Sequence, residues 1–209
     1  MGKKIIEKGW LYEYEETAES QIINGYEVTR VRYVLGEQFD TSCKKALICI
    51  GINPSTAIPE RLDPTLKRVQ KYTKRSGEYG AWYMLNVYSQ RATNPDDMDI
   101  EPNMEIHRNN LTAIKNLLSE IKEADVWCAW GNLIGKRKYL YDLLLGNKEK
   151  DIDGIISLFN ANYHFKAYGS TVENCPKHPL VMSNNDKLKE LAEVGLVELN
   201  NNINKVTEK

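Results

Sequence analysis

The chain has 209 residues, 42% of them hydrophobic and 27% charged, with a formal net charge of -1. That is enough apolar material for one soluble α/β domain with a real core, and too little positive charge for a protein that grips duplex DNA through a large uniform basic surface. Four cysteines without a C-x-x-C pair argue against a disulfide frame or a zinc site, and Cys49 and Cys128 sit in apolar runs as buried thiols. No signal peptide or long apolar span is visible, so the expectation is a cytoplasmic protein with no membrane contact, no metal and no cofactor.

Strand character begins early, in Gly9-Trp10-Leu11-Tyr12-Glu13-Tyr14 and again from Tyr26 to Leu35, with Ile23-Asn24-Gly25 as the turn between them. This reads as an antiparallel ribbon over residues 1–39, ahead of a core spanning 40–200 within one domain (1–200). The core opens with Leu47-Ile48-Cys49-Ile50, an apolar run without alternation, as in a strand buried on both faces. It breaks into Gly51-Ile52-Asn53-Pro54-Ser55, where Gly51 would permit a tight turn and Pro54 would stop the strand. The turn presents Asn53 at the carboxyl end of a buried strand, where open α/β sheets bind ligands.

Asp63-Pro64 starts a helix, with Asp as N-cap and Pro at the first position, running to about Ser76 with Gly77 as its stop. Lys67, Arg68, Lys71, Lys74 and Arg75 recur along it at helical spacing, a basic face open to phosphate or to plain solvent. Ala81 to Val87 is a second buried strand, ending at Asn86. A helix from about Asn103 to Lys122 follows, then a third strand at Val126-Trp127-Cys128-Ala129-Trp130 ending at Gly131, and a helix to about Leu145. Tyr163 to Tyr168 makes a fourth strand, followed by the Cys175-Pro176-Lys177-His178-Pro179-Leu180 loop. A last helix is expected over residues 184–193, and the Asn-rich end, 201–209, as a flexible tail. Strand-helix alternation of this kind implies a parallel sheet with helices on both faces.

In such a sheet Asn53, Asn86 and His178 lie on loops at one edge and converge on one pocket. Two amides and an imidazole suit reading the edge of a planar heterocycle or orienting a water, not acyl transfer. No nucleophile elbow or H-E-x-x-H is present, and Gly131-x-x-x-Gly135-Lys136 falls one residue short of a P-loop. Arg91, just beyond Asn86, suits a phosphate or carboxylate clamp, or equally an ion pair with Asp96 or Asp97. Tyr88 would stack on a base. His107 and Asn109 read as surface or capping residues, His164 as structural, Asp63 chiefly as the cap, and Trp82, Trp127 and Trp130 as core.

The order of these motifs resembles the uracil-DNA glycosylase superfamily. That resemblance implies a three-layer α/β/α sandwich with a four-stranded parallel sheet. Gly51-Ile52-Asn53-Pro54-Ser55 is similar to its water-activating motif, Met84-Leu85-Asn86-Val87 to the strand whose Asn reads the base, and His178-Pro179-Leu180 to its His-Pro-Ser loop. Asn53 stands where other branches carry Asp, and Leu180 where that loop carries Ser, so water activation and a phosphate contact are both weakened. The chain resembles more closely a bacterial and phage family of unknown function, through Asn53-Pro54-Ser55-Thr56, Asp63-Pro64-Thr65, Asn86 with Arg91-Ala92-Thr93, and His178-Pro179-Leu180.

The resulting expectation is a nucleobase, nucleotide or DNA pocket, the nucleic acid single-stranded or modified. Asn53 and His178 would be catalytic. Gly51, Ile52, Pro54, Ser55, Asn86, Tyr88 and Arg91 would hold the ligand, and Lys67, Arg68 and Lys71 the phosphates. The reaction would be hydrolysis of an N-glycosidic bond. The alternative is a non-catalytic module for a modified base, nucleotide or single strand; a scaffold using the fold only as a surface would need no such convergence.

Overall fold

The computed structural model describes residues 2–15, 20–23 and 25–207. Asn24, the middle of the expected first turn, and the last two residues of the tail lie outside them. Strands β1 (Gly2–Glu7) and β2 (Trp10–Glu15) form a hairpin, and β3 (Gln21–Ile23) pairs with β4 (Tyr26–Val28) in a separate two-stranded ribbon. The expected strand from Tyr26 to Leu35 is therefore two strands, β4 and β5 (Arg32–Gln38). β5 pairs antiparallel with β2 and, on its other side, with β7 (Ala81–Asn86). The N-terminal strands are thus the flank of the main sheet, not a ribbon standing before it.

The apolar runs do become neighbouring parallel strands. β6 (Lys45–Gly51) pairs with β7 on one side and β8 (Glu123–Cys128) on the other, and β8 pairs with β9 (Tyr163–Ala167), all parallel. β10 (Lys189–Glu190) closes the far edge antiparallel to β9. The full sheet has eight strands in the order β1-β2-β5-β7-β6-β8-β9-β10, a mixed sheet where a four-stranded parallel one was expected. Sequence periodicity identifies a strand buried on both faces but says nothing of how many half-exposed antiparallel strands extend the sheet.

Both faces are covered. Along β6, Ala46, Ile48 and Ile50 join one apolar cluster with Ile106, Ile114 and Leu117 of α2 (Met104–Glu120). Leu47 and Cys49 join the other with Leu66, Val69 and Tyr72 of α1 (Pro64–Ser76). α1 forms as its sequence dictates: Asp63 Oδ1 accepts from Leu66 N at 2.9 Å, and Gly77 closes the helix in the left-handed region at φ 70. Trp82, Trp127 and Trp130 are core, and burial pushes the Cys49 and Cys128 thiols up.

Three elements depart from expectation. Residues 131–136 form a 3-10 turn, and only α3 (Tyr139–Leu145) continues as α-helix. The helix expected over 184–193 is β10 plus a 3-10 turn at Leu191–Val194. The Asn-rich end, expected to fray, is α4 (Val197–Thr207), whose Ile203 is 1% exposed in the core shared with Ile155 and Ile156. Leu199, Ile203 and Val206 make an apolar stripe at helical spacing, and tertiary burial outweighs the poor helix propensity of three successive asparagines. Among the described residues no helix is long and apolar enough to cross a membrane.

Candidate functional site

β6 is the first strand of the parallel set, with β7 added on one side and β8 on the other. The loops after β6 and β8 therefore leave the sheet in divergent directions, and a crevice opens between them. A cleft of about 410 Å³ lies there, lined by Gly51, Ile52, Asn53 and Ser55 from the first loop and by Leu133 beyond β8. Asp63, Pro64, Thr65 and Leu66 at the start of α1, Ala92, Thr93 and Pro95, and His178 and Leu180 complete its walls with Arg32 and Met84.

The first loop is preformed. Val87 N donates to Gly51 O, Tyr88 N to Ile52 O and Ala92 N to Pro54 O, each at 2.9 Å, so the loops after β6 and β7 run zipped together. Asn53 Nδ2 donates to Ala92 O at 2.6 Å and to Pro54 O at 3.2 Å. Two carbonyl partners identify that atom as the nitrogen and leave Oδ1 as the end that can accept from a ligand or a water. Ser55 Oγ and Thr93 Oγ1 share a hydrogen bond of 2.9 Å across the two loops. Gly51 has no positive φ and makes no special turn; a Cβ there would stand 2.6 Å from Met84 Cε, so the methionine's terminal methyl would have to shift to admit one.

His178 caps the 3-10 turn Pro179–Val181. Its Nδ1 accepts from Leu180 N at 3.4 Å, so in the neutral ring the proton sits on Nε2. Burial lowers its pKa, with Asp63 pulling the other way, and the ring is neutral at pH 7. Tyr168 donates its hydroxyl to His178 O at 2.7 Å, and Gly131, at φ 61, donates its N–H to Pro176 O at 2.9 Å, which together pin the loop. Among the described residues Asp63 is the one carboxylate that lines the cleft, and its capping bond employs Oδ1. Local pattern assigned Asp63 chiefly a capping role; the Asp63-Pro64-Thr65 motif was the signal available for more.

Of the residues expected to meet, Asn53, Gly51, Ile52, Ser55 and His178 share the cleft. Others do not. Asn86 is 1% exposed and outside the lining; both ends of its amide are buried without a hydrogen-bond partner, and its backbone carbonyl accepts from Asn110 Nδ2 at 2.9 Å. Pro54 is buried behind the loop. Tyr88 is 0% exposed, donating its hydroxyl to Asp99 Oδ2 at 2.6 Å and accepting from Asn103 N at 3.0 Å, so its ring offers a ligand no face.

Arg91 neither clamps a ligand nor pairs with Asp96 or Asp97. It is buried beneath the loop, donating to Ser55 O, to Ala57 O at 3.1 Å and to the Tyr12 hydroxyl at 2.8 Å. Free carbonyls of a buried loop need donors more than a surface carboxylate needs an arginine. Lys67 and Lys71 are exposed and Arg68 half-buried on α1, none of them lining the cleft, while Lys74 pairs with Glu37 at 2.8 Å. His107, expected as a surface or capping residue, is buried with Nε2 at 2.7 Å from Asp153 O.

Arg32 escaped the sequence reading altogether. It is the first residue of β5, which runs antiparallel to β7 and so begins at the edge where the parallel strands end. It is 1% exposed, donates to Ala57 O at 3.2 Å, and belongs to the cleft wall. Burial, with Arg91 nearby, pushes its guanidinium down to about 9, still charged at pH 7. A charged residue directly ahead of the apolar run Tyr33-Val34-Leu35 was the available signal. Among the described residues no group of histidine, cysteine and carboxylate side chains could hold a metal ion.

The model of a family described as "Protein of unknown function (DUF1643)" matches residues 32–180. The chain belongs to this family. The matched segment runs from Arg32 to Leu180 and so contains every residue of the cleft wall. No curated protein and no solved structure matches the chain.

Proposed function

We propose that the cleft is a nucleobase or nucleotide pocket and that the protein hydrolyses an N-glycosidic bond in DNA or a nucleotide. One observation carries this reading: Asn53, Asp63 and His178 line the same cleft at the switch point of the sheet. The volume of about 410 Å³ suits a base with its sugar. Leu133 and Leu180, 41% and 47% exposed, border it with apolar surface on which a planar ring can lie. Four neighbouring parallel strands with polar loops at their carboxyl ends support the likeness to the uracil-DNA glycosylase superfamily.

In this mechanism the C1′–N bond breaks with its electron pair passing to the base. The base carbonyl gains charge beside His178 Nε2–H, a neutral donor suited to a developing anion. Water held by Asn53 Oδ1 supplies the hydroxyl to C1′, and the free oxygen of Asp63 takes its proton. Asp63 thus provides the carboxylate that the Asn53 motif lacks.

A non-catalytic binding module is the second reading, favoured by Asn86, whose amide is enclosed in the core and cannot read a base edge without movement. The test is release of free base, detected by mass spectrometry, from single- and double-stranded oligonucleotides and free nucleotides carrying normal, deaminated and hypermodified bases. Release that falls by about 10² to 10³-fold in His178→Ala fits loss of one well-placed donor. Binding of these ligands with no release from any of them establishes the second reading in its place.

A further inference from the structure

We propose that the Arg32 side of the cleft, between the Asn53 loop and the start of α1, is a phosphate subsite. It would take the monoester of a free nucleotide or the diester of a strand. This deepens the nucleotide-pocket reading and rests on it.

Three independent features converge on that place. The first is an unsatisfied buried cation. Arg32 is 1% exposed, and its side chain makes one hydrogen bond among the described residues, to Ala57 O at 3.2 Å; its Nε–H is buried without an acceptor. Arg91, equally enclosed, brings a second guanidinium, yet neither arginine pairs with a carboxylate among the described residues. Asp63 acts as a counter-charge to both arginines but forms no ion pair with either among the described residues. Two buried guanidiniums thus face one carboxylate and favour an added anion. Arg91 donates to Ser55, Ala57 and Tyr12, which holds the loop, and leaves its Nε without a partner among the described residues; Arg32 keeps most of its donors unspent.

The second is the start of a helix of 13 residues. Asp63 caps Leu66 N, and Lys67 N donates to Asp63 O, but Thr65 N–H has no partner within the described chain. That N–H, the Thr65 hydroxyl and the positive end of the helix belong to the same cleft wall as Arg32. The third is chemical fit. A planar guanidinium with several open N–H groups matches the bidentate geometry of a phosphate better than any neutral partner. Asp63 stands nearby as one negative charge against two positive ones, so the local balance remains cationic.

The experiment measures affinity by calorimetry for the common deoxynucleosides, their 5′-monophosphates, short oligothymidylates and inorganic phosphate. The wild-type protein is expected to bind monophosphates or oligothymidylates roughly tenfold or more tightly than nucleosides. Preference for monophosphates identifies a free nucleotide as the source, preference for the oligothymidylate a strand. Arg32→Gln should erase that ratio, and Arg32→Lys restore part of it. A merely structural Arg32 would lower both affinities together and leave the ratio intact, which overturns the proposal. Titration of inorganic phosphate into ¹⁵N-labelled wild-type protein needs no variant: a shift of the Thr65 amide supports the subsite, and a silent Thr65 overturns it. Phosphate binding without nucleoside binding sinks the base-pocket reading and keeps the subsite. Nucleoside binding that ignores the phosphate sinks the subsite alone.

Discussion

Asn86 Oδ1 lies 3.3 Å from the place a Cβ on Gly51 would occupy. The two residues face each other across the last register pair of β6 and β7. The amide therefore stands beneath the start of the Asn53 loop, filling the space that glycine leaves, instead of opening onto the cleft. Asn86 packs against the start of the loop, while Asn53 and His178 line the cleft itself.

Gly51→Ala should show this coupling. The new methyl would approach Met84 Cε to 2.6 Å and crowd Asn86 Oδ1. Overpacking of this kind costs about 1–3 kcal/mol. Thermal unfolding should register that loss, and base release should fall by more than stability alone accounts for, because Asn53 moves with Gly51. A variant with full stability and full activity would show that the loop tolerates the displacement.

The legible part of this fold was the part buried on both faces. The runs at Leu47, Ala81 and Val126 announced parallel strands through their continuous apolar character, and Asp63-Pro64 announced α1 through a cap whose chemistry is local. The polar loops were legible for a similar reason: Gly51 to Ser55 interrupts an apolar run abruptly. What was hidden depends on distance in the chain. Nothing near Arg32 tells that β5 begins at the ligand edge; that follows from its pairing with β7 more than forty residues on. Arg91 looked like a clamp because its partners, Ser55, Ala57 and Tyr12, are far away in sequence. Asn200 to Asn202 concealed α4, whose stability comes from Ile203 entering the core.

Asp125 anchors the opposite end of the sheet. It is 0% exposed, and its Oδ2 receives Tyr79 at 2.7 Å, Lys166 at 2.9 Å and Lys45 at 3.1 Å. Burial alone would raise its pKa, but these three donors hold the carboxyl below the usual range. Asp125→Asn leaves two half-buried lysines without their counter-charge and should cost about 3 kcal/mol in chemical denaturation. A cost below roughly a tenth of that would mean that water replaces the carboxylate at this site.

The histidines set a second pH window. Burial lowers the pKa of His178 and of His107 from the ordinary 6.5. The unfolded chain then binds protons that the folded one refuses, so stability is complete above about 6.5 and declines as pH falls through the lowered values. Asp125, whose folded pKa is also lowered, contributes stability present above the unfolded aspartate value of about 3.9 and lost below it. Denaturant midpoints should therefore fall first in the histidine range and again in the carboxylate range. Activity should fall with the first step if neutral His178 is the donor, since protonation alters the tautomer that Leu180 N–H fixes. Activity level across that range would remove His178 from the reaction.

The basic face of α1 lies beside the cleft without entering it. Lys67 and Lys71 are exposed and free of ion pairs among the described residues, whereas Lys74 and Arg75 already engage Glu37 and Asn184. Leu66, Val69 and Tyr72 turn the opposite face into the core, so α1 presents lysines to solvent from a helix whose start lines the cleft. If the ligand is a strand, its flanking phosphates extend over this face. Reversing Lys67 and Lys71 to Glu should then weaken oligothymidylate binding and reduce the slope of log affinity against log salt by roughly 0.7 for each phosphate no longer neutralised. Mononucleotide affinity should change little, because the cleft itself is untouched. Oligothymidylate affinity that ignores the reversal at every salt concentration would return this face to ordinary solvated surface and leave a free nucleotide as the ligand.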